Sequence, residues 1–339
     1  MSRQLAPTYG SDPTGLIVGY RFADSGAAQR IGSDEALSWL KRATAEKLPG
    51  FAWLHFDLAR ASAEKWMRER LALPGAFYEA LHEGARNSRI EYVDDHLVAV
   101  INDVVYDFAF DSSNTSTLWL AANDRVVVTA RQHALRSVDR LRDSVRVGYA
   151  PSTTAELVVH LMRDQADVLV GITRSATGKV DDIEDTLLAD RLDVDRVSLG
   201  SLRRLLVRLQ RLLAPEPAAL FRLMNRPPRW MTDDDLRNFR QATEEFSTVL
   251  SDVATLLERI KLLQEEVTSR INEQNNRLLM LLSLVTVLGL PFTVIGGLFG
   301  MNVGGVPFNE HKHGFWIVVG FVGAFTAVAV WLMFRWRRK

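Results

Sequence analysis

The chain contains no cysteine, which removes disulfides, thiolate zinc sites and cysteine nucleophiles together. It has no net charge either, because 41 Lys and Arg balance 41 Asp and Glu. No bulk attraction to nucleic acid or to acidic partners follows, and no nucleic-acid partner is expected. Met1 to Gly19 lack a basic-then-apolar signal pattern, so nothing there is expected to direct secretion. The first part of the chain has no Gly-rich phosphate loop, no nucleophile elbow and no His-Glu-x-x-His. His55, His82, His96, His133 and His160 occur singly, as packing and surface histidines do. No enzyme and no cofactor are expected. Two long stretches lack any ionisable side chain, Leu278–Phe299 and Phe315–Phe334, and they carry most of the functional signal.

Residues 1–150 have a mixed α/β pattern. Apolar, β-branched or aromatic runs at Leu16–Phe22, Phe51–Leu58, Ile90–Val93, Leu97–Ile101, Thr117–Leu120 and Val126–Thr129 predict strands. Helical spacing at Asp34–Ala45, Ser62–Leu71 and Gly75–His82 places helices between them, with Ser33 and Ser62 as N-caps. Asn123-Asp124-Arg125 predicts a hairpin turn. From Thr153 the pattern is helical: one long helix to Ala189, acidic at its end (Asp181, Asp182, Glu184, Asp185), then Ser198–Leu213 with Arg203, Arg204, Arg208 and Arg211. These two suggest an antiparallel hairpin with cross-pairs, or a solvated charged face, or an acidic tip that gathers cations. Pro227-Pro228 ends the preceding helix, and Thr232 with Asp233, Asp234 and Asp235 caps the next. Phe239, Phe246, Val253, Ile260 and Val267 recur by sevens, as do Ala242, Val249, Leu256 and Leu263. That heptad seam predicts a long stalk with several copies side by side.

The stalk runs without Gly or Pro into Leu278–Phe299. A helix of roughly 22 residues is ~33 Å long, enough to cross a bilayer core of about 30 Å. Asn276, Leu279, Ser283, Thr286, Leu290, Thr293 and Gly297 recur at steps of three, four or seven and share one face. Helix–helix contact is the plain explanation for a lone hydroxyl; several in register, ending at Gly300-Met301-Asn302, predict a wet pore lining. With no charge in the span, neutral oxygens of Asn276, Thr286, Thr293 and Asn302 would hold a cation through its waters. Leu279, Leu282 and Leu290 would form apolar constrictions, and Pro291 frees a carbonyl one turn earlier. One chain with two spans cannot enclose a lumen, so a homo-oligomer in contact with membrane lipid is expected. The basic tail Arg335-Trp336-Arg337-Arg338-Lys339 puts both termini in the cytoplasm. The expected fold class is an α/β cytoplasmic domain (1–150), a helical hairpin and long coiled stalk helix (151–277), a first transmembrane helix (278–299), an outer loop with Gly-Met-Asn (300–314), a second transmembrane helix (315–334) and a basic tail (335–339).

Gly300-Met301-Asn302 after a Pro-containing span, followed by a short loop, a second span and a basic tail, resembles the CorA superfamily of divalent-cation transporters. Asn276 and Thr293 also match pore positions. The resemblance implies a homopentameric funnel with the first span lining the pore and Asn302 meeting the hydrated ion at the outer mouth. Val303-Gly304-Gly305-Val306-Pro307, Gln264-Glu265-Glu266 and Glu273-Gln274-Asn275-Asn276-Arg277 resemble the zinc-transporter (ZntB) branch. That branch implies Zn²⁺ as the transported ion across the bacterial inner membrane, with related transition metals and coupled protons. The alternative is a Mg²⁺ or Co²⁺ channel gated by intracellular cation, with Glu265 and Glu266 as sensor ligands. Glu310, His311 and His313 are candidate metal contacts at the outer mouth, against an ordinary solvated loop. A membrane-anchored scaffold is the rival from outside transport.

Overall fold

The computed structural model describes residues 11–23, 27–83, 88–105, 115–189, 196–301, 307 and 312–337. In chain order the elements are β1 (Leu16–Phe22), β2 (Gln29–Arg30), α1 (Ser33–Glu46), β3 (Phe51–Asp57), α2 (Ala61–Arg70), α3 (Gly75–Glu83), β4 (Arg89–Val93), β5 (His96–Val104), β6 (Thr115–Ala122) and β7 (Val126–Arg131). Six helices follow: α4 (Arg136–Arg146), α5 (Thr154–Leu188), α6 (Arg196–Leu213), α7 (Pro215–Asn225), α8 (Asp233–Phe299) and α9 (Gly314–Arg337). The chain divides into two compact units, Met1–Gln264 and Glu265–Lys339.

The first unit is built on one sheet of strand order β2-β1-β3-β7-β6-β5-β4, in which only β3 and β7 run parallel. Its inner strands are buried on both faces, so they read as continuous apolar runs rather than alternating ones. Trp39, Met67 and Phe77 of α1, α2 and α3 pack with Leu54, Phe56 and Trp119 on one face. Leu141, Leu157, Leu220 and Phe239 of α4, α5, α7 and α8 pack with Phe22, Trp53, Leu118 and Leu120 on the other. The hairpin turn forms as the sequence predicts: Asn123 Oδ1 accepts from the amides of Arg125 and Val126, both at 2.9 Å. The two serine caps do not form. Gly32 and Arg60 are the N-cap residues and neither makes a side-chain cap bond. Ser33 lies inside α1, where its hydroxyl donates instead to Asp12 Oδ2 at 3.1 Å.

His55 shows what a lone histidine does here. Its ring is buried, Arg131 Nε donates to Nε2 at 3.2 Å, and Nδ1 meets the Thr129 hydroxyl at 2.9 Å. Burial, then the nearby Arg131 charge, hold its pKa well below 6.5. A base whose folded pKa is depressed contributes stability that is complete above its unfolded value and is lost as pH falls below it. Chemical denaturation should therefore show stability dropping by up to ~1.4 kcal/mol per pH unit below about 6.5. His55→Gln should flatten that slope; an unchanged slope would place the acid sensitivity elsewhere.

The helical part of this unit corrects two expectations. The heptad seam of this unit is buried within one chain rather than between copies: Phe239, Phe246, Val253 and Ile260 are all buried. The helices beside it are α5 and α6, since Arg259 of α8 pairs with Asp181 of α5 at 2.7 Å and Arg203 of α6 donates to Gln264 at 3.2 Å. A seven-residue period states that a partner helix exists and not whose it is. The acidic end of α5 is likewise answered by α8 rather than by the basic face of α6, because Arg259 takes both Asp181 and Glu184. Thr232 does cap α8, its hydroxyl accepting from the Asp235 amide at 3.1 Å. Asp235 closes the box by accepting from the Thr232 amide at 2.9 Å, and also accepts from the hydroxyl of Thr153, the N-cap of α5. One buried carboxylate thus serves the first turns of both long helices.

Candidate functional site

The second unit holds the carboxy-terminal part of α8 together with α9. α8 is long and apolar enough to cross a bilayer, and its apolar stretch is left uncovered. α9 has 24 residues, ~36 Å of helix. Its apolar run among the described residues, Gly314–Val328, is shorter than a full span. Each helix covers one face at helical spacing. On α8 the partly covered residues are Met280, Leu284, Leu288, Pro291 and Ile295; on α9 they are Gly314, Val318, Val322, Thr326 and Val330. Steps of three and four place each set on one stripe of its own helix.

The candidate lining falls elsewhere on α8. Asn276, Ser283, Thr286, Thr293 and Gly297 are exposed, as are Leu279 and Leu290 at 60% each. At about 100° per residue this stripe lies roughly 130° around the helix from the partly covered face. The hydroxyls are oriented by the helix itself: Ser283, Thr286 and Thr293 donate to the carbonyls of Leu279, Leu282 and Gly289 at 2.8, 2.9 and 3.0 Å. With the proton spent on the backbone, the oxygen's lone pairs are what each side chain offers outward. The first-shell waters of a cation turn their protons away from the ion and need acceptors. A row of acceptor-only oxygens between leucines therefore suits an ion that keeps its water shell. Pro291 lies inside the helix and leaves the Val287 carbonyl without its usual amide donor, adding one more acceptor.

At the end of α8, the Gly300 amide donates to the Gly296 carbonyl at 2.9 Å and Met301 is 51% exposed. Asn302, Val303 to Val306, Glu310 and His311 lie outside the described residues, as do Arg338 and Lys339. His313 is exposed on the segment before α9. Closer to the first unit, Glu265 is exposed and Glu266 pairs with Arg270 at 2.8 Å, followed by Glu273 with Arg277 at 3.0 Å. Among the described residues no three His, Asp or Glu gather as a metal site within one chain. Arg335 stacks over the Trp331 ring at 5.2 Å, a pairing suited to a membrane–water boundary. The partly covered face of α8 is what sequence reasoning missed. Its residues are as apolar as the lipid-facing ones, and only the four-residue spacing of Met280, Leu284 and Leu288 hints at it.

Residues 49–338 match the family model described as CorA-like Mg²⁺ transporter protein. The divalent cation transporter CmaX of Pseudomonas aeruginosa is 29% identical over 329 residues, 96% of each chain. A solved structure of full-length CmaX superposes with a TM-score of 0.81 at 28% identity, over 96% of this chain and 99% of that one. The zinc transport protein ZntB of Yersinia enterocolitica is 25% identical over 299 residues, 88% of each chain. The magnesium transporter CorA of Methanocaldococcus jannaschii shares the fold, with a TM-score of 0.72 at 17% identity over 93% of this chain and 96% of that one.

Proposed function

The chain belongs to the family of CorA-like Mg²⁺ transporter proteins, and from that premise we propose that it carries Zn²⁺ and related divalent transition-metal ions across the bacterial inner membrane. The path is a central pore lined by the polar stripe of α8 in a homopentamer, with α9 behind it and both termini in the cytoplasm. Likeness to CmaX and ZntB, both named for cation or zinc transport, supports the ion class. The observation that carries the mechanism is the stripe itself, which lies off the partly covered face of α8 with its hydroxyl protons already spent on the helix. Such oxygens pass a hydrated ion from one set of acceptors to the next without stripping its shell, and the leucines between them make a narrow apolar step that empties of water when closed. We assign to Asn302 the contact with the hydrated ion at the outer mouth, and to Glu310, His311 and His313 further contacts with the metal there. Zn²⁺ is the transported ion and not a resident cofactor.

The second assignment, a Mg²⁺ or Co²⁺ channel closed by intracellular cation at Glu265 and Glu266, is favoured by the family model's own description. Flux into proteoliposomes separates the two. Zn²⁺ should enter and respond to an imposed pH gradient, and Asn302→Ala should slow entry about tenfold through loss of one charge-assisted contact per copy. Mg²⁺ entry without Zn²⁺ entry moves the assignment to the channel. Indifference to a gradient of either sign removes proton coupling. Undiminished uptake by Asn302→Ala removes that residue from the mechanism, and wild-type oligomers that pass neither ion above empty liposomes turn the protein into a scaffold.

A further inference from the structure

The chain is neutral as a whole, but its helical hairpin is not neutral along its length. Residues 181–195 carry seven Asp and Glu against one Arg, and residues 196–229 carry eight Arg against one acid, Glu216. Glu216 is turned inward: its carboxylate accepts from the Asn102 amide of β5 and from the Gln165 side chain of α5, both at 3.1 Å. The outward side of α6 and α7 therefore holds arginines with no acid among them. Arg204, Arg208 and Arg211 follow steps of four and three along α6, away from the buried Leu202, Leu205 and Leu209. Arg222 of α7 is exposed as well. None of these four arginines has an ion pair among the described residues, and Val207 beside them is 45% exposed.

The complementary set is the end of α5. Arg259 of α8 takes Asp181 and Glu184, but Asp182 and Asp185 are exposed with no ion pair among the described residues. Leu188 beyond them is 72% exposed. The two sets stand level with each other. Asp235 at the start of α8 bonds Thr153 at the start of α5, and Arg259 meets Asp181 farther along, so these two helices run parallel. Arg203 of α6 meets Gln264, and the other end of α6 lies at the sheet, where the Ser88 hydroxyl is 3.1 Å from the Leu212 carbonyl. That helix therefore runs antiparallel to α8. At ~1.5 Å per residue from these contacts, Asp182 and Asp185 lie level with Arg208 and Arg204 to within about one turn. Within one chain the two sets do not pair, since each lies on the outward side of its own helix.

We propose that the basic face of α6 in one copy receives the acidic end of α5 in the next, Arg204 and Arg208 against Asp185 and Asp182, with Val207 and Leu188 packed beside them. This rests on the self-association stated above and says which surfaces make it. A contact between two different patches of the same chain is heterologous, and it closes into a ring when the rotation between neighbours allows. Each copy then presents one basic and one acidic edge, which accounts for a neutral chain with strongly charged segments. Because the sets are level, neighbours arranged about an axis along α8 need no slip to bring them together. Anionic lipid or nucleic acid would answer the arginines alone and leave Asp182, Asp185 and Leu188 without a role.

The chain has no cysteine, so cross-linking of the full-length protein in detergent tests this directly. Leu188→Cys and Val207→Cys chains, coexpressed and treated with a short bismaleimide, should give a covalent dimer that neither chain gives alone. A Thr44→Cys chain, altered on α1, replaces either one as the control and should give background only. Arg204→Glu with Arg208→Glu in the Val207→Cys chain should cut the dimer about tenfold or more. Asp182→Arg with Asp185→Arg in the Leu188→Cys chain should then restore it. Light scattering on the same samples separates the outcomes. Oligomers that form without the mixed cross-link, or a cross-link indifferent to charge reversal, overturn these surfaces and leave self-association standing. Monomers throughout overturn self-association and the pairing with it.

Discussion

Replacing Thr286 and Thr293 together by valine should lower divalent-cation flux by roughly 100-fold or more while leaving the helix intact. Both hydroxyls already donate to carbonyls of their own helix. Those carbonyls keep their amide partners when the hydroxyl goes, so the backbone loses little. What disappears is two outward acceptors per copy. Hydrogen bonds involving a charged partner are worth ~1.5–3 kcal/mol each, and two lost along one path exceed the ~2.7 kcal/mol that a 100-fold change requires. Thr326→Val supplies the control. Its hydroxyl makes the same bond, to the Val322 carbonyl at 2.8 Å, but on the partly covered stripe of α9, and flux should stay within about twofold. Full flux in the Thr286 and Thr293 double variant, measured with Zn²⁺ in proteoliposomes, would remove the polar stripe from the mechanism.

Phe246→Ala should lower the stability of the first unit by about 3–5 kcal/mol. The ring is buried in the seam of α8, and its loss opens a void that neighbouring helices cannot fully close. In a unit of this size each kcal/mol moves the melting temperature by about 2–4 °C, so the midpoint should fall by roughly 6–20 °C. Because the seam closes inside one chain, the shift should be the same at every protein concentration. A shift that shrinks as concentration rises would show that the seam is shared between copies.

The strands of the first unit were legible in the sequence because β-branched and aromatic runs separated by turns have few other uses. Each predicted strand matches an observed one within a few residues. β2 was not legible, being two exposed residues that add one rung beside Tyr20 and Arg21. α4 also went unread, although Val138, Leu141 and Val145 mark one buried stripe. Its charged composition hides a helix whose apolar side is only three residues wide. Ser33 and Ser62 show why caps are hard to place: a hydroxyl one position from a helix start can serve a neighbouring group instead, as Ser33 serves Asp12. The seam of α8 was visible as a period, but its partners α5 and α6 are a fact of tertiary packing. The polar stripe on Asn276 to Gly297 was legible for the same reason as the seam, since helical spacing alone assigns residues to a face. Glu216 could not have been singled out, because a glutamate between two prolines reads as a solvated turn until the sheet and α5 close over it.

The parallel contact between β3 and β7 has a consequence for synthesis on the ribosome. Trp53 lies opposite Val127 in that register, so the amino-terminal strands cannot join the larger half of the sheet until the chain beyond Arg131 has cleared the exit tunnel. During that wait β3 pairs with β1 alone and its other edge stays open, for several seconds at ordinary elongation rates of about 5–20 residues per second. From Phe51 to Phe56 every residue of β3 but His55 is apolar, which makes this nascent stage, rather than the finished protein, the point at which chaperone capture should be strongest.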